Sequence, residues 1–447
     1  MNTRENDKRL RKALLGVVQN LLSICDEFLA TSSSSSDDDE LVLEELHKRI
    51  KRRRTSAECS AIAEVVEVSE IRSFVEYTVP RFSDNEFQSH FRLSIDAFEW
   101  LLAKVDTDLQ SKRFAGRQTV DTRKQLLAFL WLFATSDSFR SVGSRFDLPK
   151  GTLHACFIRV LHALNCLGPA VITWPDADRR KVISTNLKRL GGLKGVVGIV
   201  DSTYIRVKAP SNSDRNISYG ITLQGICDDE CQFTDCFAGY PTSVADTRIF
   251  RQSDIYKAFV SNRSDYFSPK EYIIGDEDYE IKPFCVSPYN KSGVYARWHS
   301  EFNQRHAQTR KVIERTFGLF FGRFRRFRDL DMSKTDHIPA TIIAACVLHN
   351  ICLTQPSDVL GAQFEEEGIQ FLRDRSTSDD GVAHAVVTTF LPADDEGTEF
   401  RDQLAREMGL LTDEATPAEN VKSSAPKSRG TITLSIPESI RLSLSKA

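Results

Sequence analysis

The sequence lacks a hydrophobic segment of the kind that secretion or membrane insertion requires. We find no secretory hydrophobic region among its 447 residues, and no apolar run that approaches a membrane span of about 18 residues. We therefore expect a soluble protein that has no contact with a membrane.

Cysteine is present, but a paired-ligand pattern is lacking. The ten cysteines are scattered from position 25 to position 352, which favours the reduced thiols of an intracellular protein over a disulfide framework. Cys227, Cys231 and Cys236 form the closest group and flank a predicted hairpin turn. A zinc site there would lack a convincing fourth ligand, so we favour free thiols at these positions.

The chain also lacks a marked net charge, since its formal charge is only −3. This average hides a segregation of signs: acids cluster at positions 37–40 and 365–367, and bases at 48–54 and 305–328. Six of the seven residues from Lys48 to Arg54 are basic. This run indicates a nuclear-import signal or a nucleic-acid patch, with a solvated helix face as the alternative. We expect a nuclear protein, with the cytoplasm as the alternative location.

The length predicts two folded units with tails, because 447 residues exceed what one core usually holds. Residues 1–81 are expected to form an N-terminal helix followed by a disordered acidic and basic linker. Residues 82–190 form a helical unit, and residues 191–355 form an α/β unit. Residues 356–447 are expected to be a largely disordered tail that contains a short helix near Phe400 to Leu411.

Helix-turn-helix spacing is present between positions 138 and 160 of the helical unit. A short helix is predicted to meet a turn that contains Phe146 and Leu148, and a second helix begins near Lys150 or Thr152. Such a unit can contact DNA. A helical bundle that only packs on the next domain gives the same apolar stripes, so both interpretations stay open.

After Gly191 and Gly192 the hydrophobic period changes from helical to strand-like. Long helices are predicted over 302–327 and 338–353, a crossover helix over 246–259, and strands over 196–208, 221–227, 232–237 and 272–275. Three antiparallel strands, a crossover and a further strand beside the first make a mixed sheet flanked by helices. In this arrangement Asp201 and Asp276, which each close an apolar run, become neighbours.

Asp201, Asp276 and Glu314 are the candidate catalytic residues. Two carboxylates at neighbouring strand ends, with a third on a helix packed over them, would concentrate negative charge that Mg²⁺ or Mn²⁺ can bind. Metal sites of this composition are suited to phosphodiester cleavage. Asp246 begins the crossover helix, where it is either an N-cap or a fourth metal ligand.

The helix that carries Glu314 is rich in bases. His306, Arg310 and Glu314 recur every four residues and share one face, which places Arg310 to hold Glu314 or a phosphate. Glu314 is the only acid between positions 305 and 328. A one-sided charge beside carboxylates is better explained by a polyanion than by a solvated face. We therefore predict nucleic-acid contacts by Arg310, Arg323, Arg325 and Arg326.

These features together resemble the PIF/Harbinger transposases and the nucleases derived from Harbinger transposases. The resemblance spans about Phe82 to Leu353, and the order of its short motifs is more specific than any single motif. The motifs are Asp201-Ser202-Thr203, Ala245 to Phe250, Gly275-Asp276 with Tyr279, Ser287-Pro288-Tyr289, Phe302-Asn303, Arg310 to Glu314 with Phe317-Gly318, and Leu348 to Cys352.

The resemblance implies an α/β, ribonuclease-H-like DDE nuclease fold and a metal-dependent DNA endonuclease or transposase. Asp201, Asp276 and Glu314 then resemble the family's acid triad, and Asp246 resembles an accompanying carboxylate and metal ligand. The resemblance also implies DNA as the substrate and a separate Myb-like DNA-binding partner protein. The oligomeric state stays open, a homo-oligomer included. A domesticated, catalytically silent DNA-binding or scaffold protein is the alternative.

Four residues depart from the family pattern. Ser202 stands where the family often has Gly, and Glu277-Asp278 replaces a more usual Ser-Gly. Phe321, seven residues after Glu314, occupies a position where Lys is common. A phosphate contact is therefore expected to be weakened unless Arg323 substitutes for that Lys. The carboxylates are intact, which favours an enzyme over the silent alternative.

Overall fold

The computed structural model describes residues 74–110, 120–208, 219–290, 296–332, 335–354, 358–377 and 394–410. The predicted N-terminal helix, the basic run at 48–54 and the end of the tail lie outside these residues. A π-helical turn, Phe74–Thr78, and a 3-10 turn, Val79–Arg81, come first. They are followed by α1 (Asp84–Phe91), α2 (Ile95–Leu109), α3 (Thr122–Ala134), α4 (Phe139–Arg145), α5 (Lys150–Val171) and α6 (Ala177–Gly191).

A mixed five-stranded sheet follows, in the spatial order β3-β2-β1-β4-β5. Its strands are β1 (Val196–Val207), β2 (Tyr219–Cys227), β3 (Phe233–Pro241), β4 (Tyr272–Ile274) and β5 (Cys285–Val286). β2 pairs antiparallel with β1 and β3, whereas β4 pairs parallel with β1 and β5. The predicted mixed sheet, with the fourth strand beside the first, is confirmed. The short β5 was not predicted, because two residues show no period.

Helices cover the sheet after and between its strands. They are α7 (Asp246–Gln252), α8 (Asp254–Ser261), α9 (Arg263–Tyr266), α10 (Arg297–Arg323), α11 (Ile338–Thr354), α12 (Gly361–Thr377) and α13 (Asp395–Glu407), with 3-10 turns at Arg325–Arg328 and Thr335–His337. The crossover that was predicted as one helix is broken at Ser253. The Ser253 hydroxyl accepts the Tyr256 N–H at 3.3 Å and thereby caps α8.

The two faces of the sheet bury different cores. On one face, Ile199 and Leu223 belong to a large core that includes apolar side chains of α10 and α11. On the other face, Val200 and Ile226 pack with Phe250 of α7 in a smaller core. Helices on both faces of a mixed sheet make the layered arrangement of an α/β protein.

The helical unit shares the larger core with the sheet. α4 and α5 flank a turn that contains buried Phe146 and Leu148, at the positions that the spacing predicted. The same apolar cluster continues from these helices into α10 and α11. This packing does not support a separate helix-turn-helix domain, and DNA contact by α5 stays a prediction.

α12 lies in the stretch that was expected to be a disordered tail. It packs so closely on α10 that glycines are required at the crossing. A Cβ at Gly322 would lie 1.7 Å from Phe364 O, and one at Gly368 would lie 1.7 Å from Gly318 O. The expectation of disorder is therefore wrong for residues 358–377, whose acidic composition concealed the helix. The short helix expected near Phe400 to Leu411 is present as α13.

Among the described residues, one segment is long and apolar enough to cross a membrane: Thr335–Thr354, which contains α11. The sequence was expected to contain no apolar run of this length, and that expectation is wrong. However, 67% of the tested window is buried inside the structure, and α11 packs on α5 and β3. Burial favours a core helix, which passes the same test of length and composition.

His349 and Asn350 tie α11 to the edge strand β3. Asn350 Oδ1 accepts the Phe233 N–H at 2.8 Å, and Nδ2 donates to Phe233 O at 2.7 Å and to Val171 O at 3.2 Å. His349 Nε2 lies 2.8 Å from Cys231 O, and burial lowers the pKa of His349 to about 3. The imidazole is thus neutral at pH 7, and its Nε2–H donates to that carbonyl. These bonds satisfy backbone groups at the start of the edge strand β3, in the turn before it and at the end of α5.

We predict that Asn350→Ala lowers the free energy of unfolding by about 3 kcal/mol. The change leaves the buried N–H and carbonyl of Phe233 without the Asn350 side chain as a partner, and each such buried group costs about 1–3 kcal/mol. Asn262, which is exposed, provides a control, because Asn262→Ala should cost less than about 0.5 kcal/mol. Urea unfolding of both variants beside the wild type measures the difference, and equally small effects would contradict the role given to Asn350.

Candidate metal and catalytic site

Asp201 lies within β1 and not at its end, because the strand continues to Val207. It is opposite Gly225 of β2, and the pairing of β1 with β4 stops at Ile199, two residues earlier. Asp201 therefore lies on β1 two residues beyond the last pair with β4, next to the turn that follows β4. Its own Oδ1 accepts the Ser202 N–H at 2.8 Å.

Asp276 begins the turn that follows β4. Its Oδ1 accepts the Asp278 N–H at 3.0 Å, which orients the carboxylate and leaves Oδ2 for other partners. The turn brings Tyr279 back over Gly275, where an added Cβ would lie 2.9 Å from the Tyr279 ring. A glycine before Asp276 is therefore a packing requirement, which explains the spacing of Gly275-Asp276 and Tyr279.

Arg310 of α10 connects the two carboxylates. Its Nη2 lies 2.5 Å from Asp201 Oδ2 and 3.6 Å from Asp276 Oδ2, so the two oxygens are within about 6 Å of each other. The three side chains are 16–25% exposed. The structure thus brings Asp201 and Asp276 together. The Arg310 guanidinium lies between them, whereas the sequence predicted that Arg310 would hold Glu314 or a phosphate.

The carboxylates at this end of the sheet repel one another. Burial raises the pKa of the Asp201 carboxyl to about 7; the charge of Arg310 opposes this shift, and repulsion from Asp276 adds to it. Burial also raises the pKa of Asp278 to about 6, with further contributions from Asp276 and Asp246. Asp278 was noted in the sequence as a departure from the family pattern and not as a site residue, although its position two residues after Asp276 was a signal for that role. A further cation would relieve this repulsion.

Glu314 and Asp246 stand beside the pair. Glu314 lies one helical turn after Arg310 and is exposed. Burial lowers the pKa of Arg310, but the charges of the two aspartates and of Glu314 outweigh burial and raise that pKa. Asp246 is not the N-cap of α7, because Ala245 holds that position, so the capping alternative is wrong. Within the described residues, no group of three or more Asp, Glu, His or Cys side chains is close enough to hold a metal ion.

The carboxylate pair fits a divalent ion in the chemistry of its donors. Mg²⁺ and Mn²⁺ prefer hard oxygen ligands, and the Asp201 and Asp276 oxygens already share one positive partner in Arg310. An ion at this place would compete with the guanidinium for the same oxygens. Glu314 and Asp246 would become ligands only by moving toward the pair.

Two of the arginines expected to contact DNA are buried. Arg323 is fully buried, pairs with Asp358 and donates to Arg92 O at 3.2 Å. Arg326 is buried as well and donates to Leu132 O of α3. Burial corrects the expectation for both residues, since neither guanidinium is accessible to a DNA phosphate. Arg323 therefore does not replace the Lys that the family often has at the position of Phe321.

α12 neutralises a further part of the basic helix. Arg325 pairs with Glu367, and Arg315 pairs with Glu365 at 2.7 Å. The acids of 365–367 were expected to lie in a tail, so their ion pairs with these arginines were not predicted. The one-sided charge of α10 is therefore balanced to a large extent within the chain, and it no longer argues for a polyanion by itself.

The fold and the carboxylates are consistent with a DDE nuclease, and comparison with known proteins gives the family. Residues 200–350, which include Asp201, Asp246, Asp276 and Glu314, match the family described as DDE superfamily endonuclease. No solved structure matches the chain.

Two curated relatives make the assignment more specific. The chain is 26% identical over 298 residues to Protein Antagonist of Like Heterochromatin Protein 1 of Arabidopsis thaliana, an alignment that covers 62% of this chain and 75% of that protein. It is 26% identical over 307 residues to "Putative nuclease HARBI1" of Homo sapiens, which covers 63% of this chain and 83% of that protein. The endonuclease match and these relatives support the Harbinger transposase-derived family that the motifs of the chain predicted.

We predict that Arg310→Gln binds Mn²⁺ roughly tenfold more tightly than the wild type. Removing the guanidinium removes a competitor for the Asp201 and Asp276 oxygens and a source of repulsion toward the ion. Titration calorimetry on the full-length protein measures the affinity, and Lys311→Gln, at an exposed neighbouring position, is the charge-matched control. Equal or weaker Mn²⁺ binding by Arg310→Gln would show that the ion does not use these oxygens.

A second prediction separates structural arginines from DNA-binding ones. Arg323→Ala should lower the free energy of unfolding by about 3 kcal/mol, because it breaks a buried ion pair. It should leave the dependence of DNA binding on salt unchanged, because Arg323 contacts no phosphate. Denaturant unfolding and a salt titration of binding measure the two effects. A flatter salt dependence at unchanged stability would restore Arg323 to the DNA path.

Proposed function

We propose that this chain is a divalent-metal-dependent DNA endonuclease of the DDE type. The observation that carries the proposal is the pair of Asp201 and Asp276 carboxylates on one guanidinium, inside the segment that matches the endonuclease family. Two carboxylates so close together in a largely buried place cost folding free energy. Such an arrangement is typical of a functional site.

Each residue has a distinct role in this proposal. Asp201 and Asp276 would hold the ion, and Glu314 and Asp246 are the carboxylates that would complete its ligand set. A divalent ion bound there would supply Lewis-acid catalysis to a phosphodiester. Arg310, once released from the aspartates, is positioned beside the site to pair with a phosphate of the DNA. Its ion pair with Asp201 holds the carboxylate in place until then.

DNA is the substrate in this proposal, and the substrate class follows from the family. We also propose, from the resemblance alone, a ribonuclease-H-like topology, joining of cleaved strands to a second DNA, a Myb-like partner protein and nuclear location. The carboxylate geometry bears on cleavage and not on these further properties.

We predict that the full-length protein cleaves DNA only with Mg²⁺ or Mn²⁺ present, and that Asp201→Asn lowers the cleavage rate by at least about a hundredfold. The amide keeps the shape of the side chain but loses the charge that the ion needs. The control is Asp265→Asn, at an exposed aspartate outside the carboxylate pair, which should cleave at the wild-type rate.

Circular dichroism of each variant checks that it is folded. Cleavage that persists in excess chelator, or at full rate in Asp201→Asn, would exclude the proposed mechanism. A folded wild-type protein that binds DNA and never cuts it would support the silent alternative.

A further inference from the structure

A cavity lies where the far end of β1 meets α12 and the 3-10 turn after α10. Its volume is about 340 Å³. The lining side chains are Tyr204, Arg206, Arg328, Phe371, Asp374 and Arg375. Three guanidinium groups and one carboxylate give this lining a net positive charge. Asp374 is exposed and the other five are half-buried, so solvent can reach the cavity. We call it the basic cavity.

The guanidinium of Arg375 is fixed at the cavity wall. It donates to Tyr204 O at 2.8 Å and to Thr203 Oγ1 at 2.9 Å. It also lies 4.0 Å from the centroid of the Tyr204 ring, a cation–π contact. Because these contacts already restrict the side chain, it would lose little rotamer entropy on binding a ligand.

Arg328 provides an independent indication of a ligand. Its Nε donates to Phe321 O at 3.0 Å, and its guanidinium lies 5.1 Å from the centroid of the Phe371 ring. Its Nη2 is buried and has no hydrogen-bond partner in the described part of the chain. A buried charged donor without an acceptor is unfavourable. A shift of this side chain toward the cavity would let an anionic oxygen there supply that acceptor.

We propose that the basic cavity binds a phosphate group. Guanidinium groups match the spacing of phosphate oxygens, and the aromatic rings of Tyr204 and Phe371 keep the arginine planes in place. The volume also leaves room for atoms attached to the phosphate. The chemistry is shared by a phosphodiester of DNA and by a free phosphate, and the experiment below distinguishes these two sources.

The proposed nuclease function makes the DNA backbone one source of the phosphate. Arg206 is five residues after Asp201 on β1, so their Cα atoms are about 16 Å apart at about 3.3 Å per residue. The register of β1 is unbroken between them, and this odd spacing places the two side chains on opposite faces of the sheet. The cavity is therefore a separate place from the carboxylate site. This DNA role rests on the proposed nuclease function, whereas phosphate binding itself does not.

The test uses the full-length protein in excess chelator, so that binding is measured without cleavage. The variants are Arg328→Gln, which removes the unsatisfied donor, and Asp374→Asn, which removes the one carboxylate of the lining. Arg373→Gln is the control, because Arg373 is exposed on the same helix and does not line the cavity. One arm titrates a duplex oligonucleotide over a range of salt concentrations. The other arm titrates inorganic phosphate by calorimetry.

We expect Arg328→Gln to weaken DNA binding about tenfold and to lower the slope of log affinity against log salt by about 0.9, the value for one phosphate contact. Asp374→Asn should bind several-fold more tightly, and Arg373→Gln should stay within about twofold of the wild type. If the two cavity variants change the affinity for inorganic phosphate and not for DNA, the cavity binds a free phosphate.

The proposal is overturned if Asp374→Asn leaves both affinities at the wild-type value and Arg328→Gln matches Arg373→Gln. The Asp374 variant protects the test against misfolding, since it changes an exposed side chain. Failure of the nuclease proposal has a different signature. In that case the wild type cuts no DNA in Mg²⁺ or Mn²⁺, while the cavity variants still change phosphate or DNA affinity.

Discussion

The contact of Arg310 with the carboxylates of Asp201 and Asp276 is the interaction on which the site depends. Two half-buried carboxylates with oxygens within about 6 Å of each other repel one another unless a cation lies between them. The guanidinium supplies that cation and fixes the relative position of β1, the turn after β4, and α10. Because the ion pair is the resting arrangement, a metal ion that bound these oxygens would have to displace Arg310, and the two events would be coupled.

This coupling requires that α10 be held firmly while its Arg310 side chain can move. The glycine contacts with α12 bring the two helix backbones together, and Arg323 is locked in the core at the end of α10. The basic residues of α10 thus divide by function. Those toward its C-terminal end support the fold, whereas Arg310 lies at the site. α12 also contributes three of the six residues that line the basic cavity.

The sequence predicted the sheet well because each of its four longer strands has a strong apolar pattern and β4 follows a crossover. The proximity of Asp201 and Asp276 followed from that topology. The roles of the arginines could not be predicted from the sequence, because a charge pattern does not tell whether Arg323 points to solvent or into a core. α12 was missed because its acids resemble those of a solvated tail until their partners, Arg315 and Arg325, are known. The partner of Arg310 was missed because it lies 109 residues away along the chain.

The central claim is that the Asp201 and Asp276 carboxylates exchange Arg310 for a divalent ion. Anomalous diffraction from crystals of the full-length protein grown with Mn²⁺ tests it most directly. The account predicts an anomalous peak within bonding distance of both carboxylates, with the Arg310 guanidinium displaced from Asp201. Mn²⁺ that is ordered elsewhere, while Arg310 still bridges the two aspartates, would contradict it.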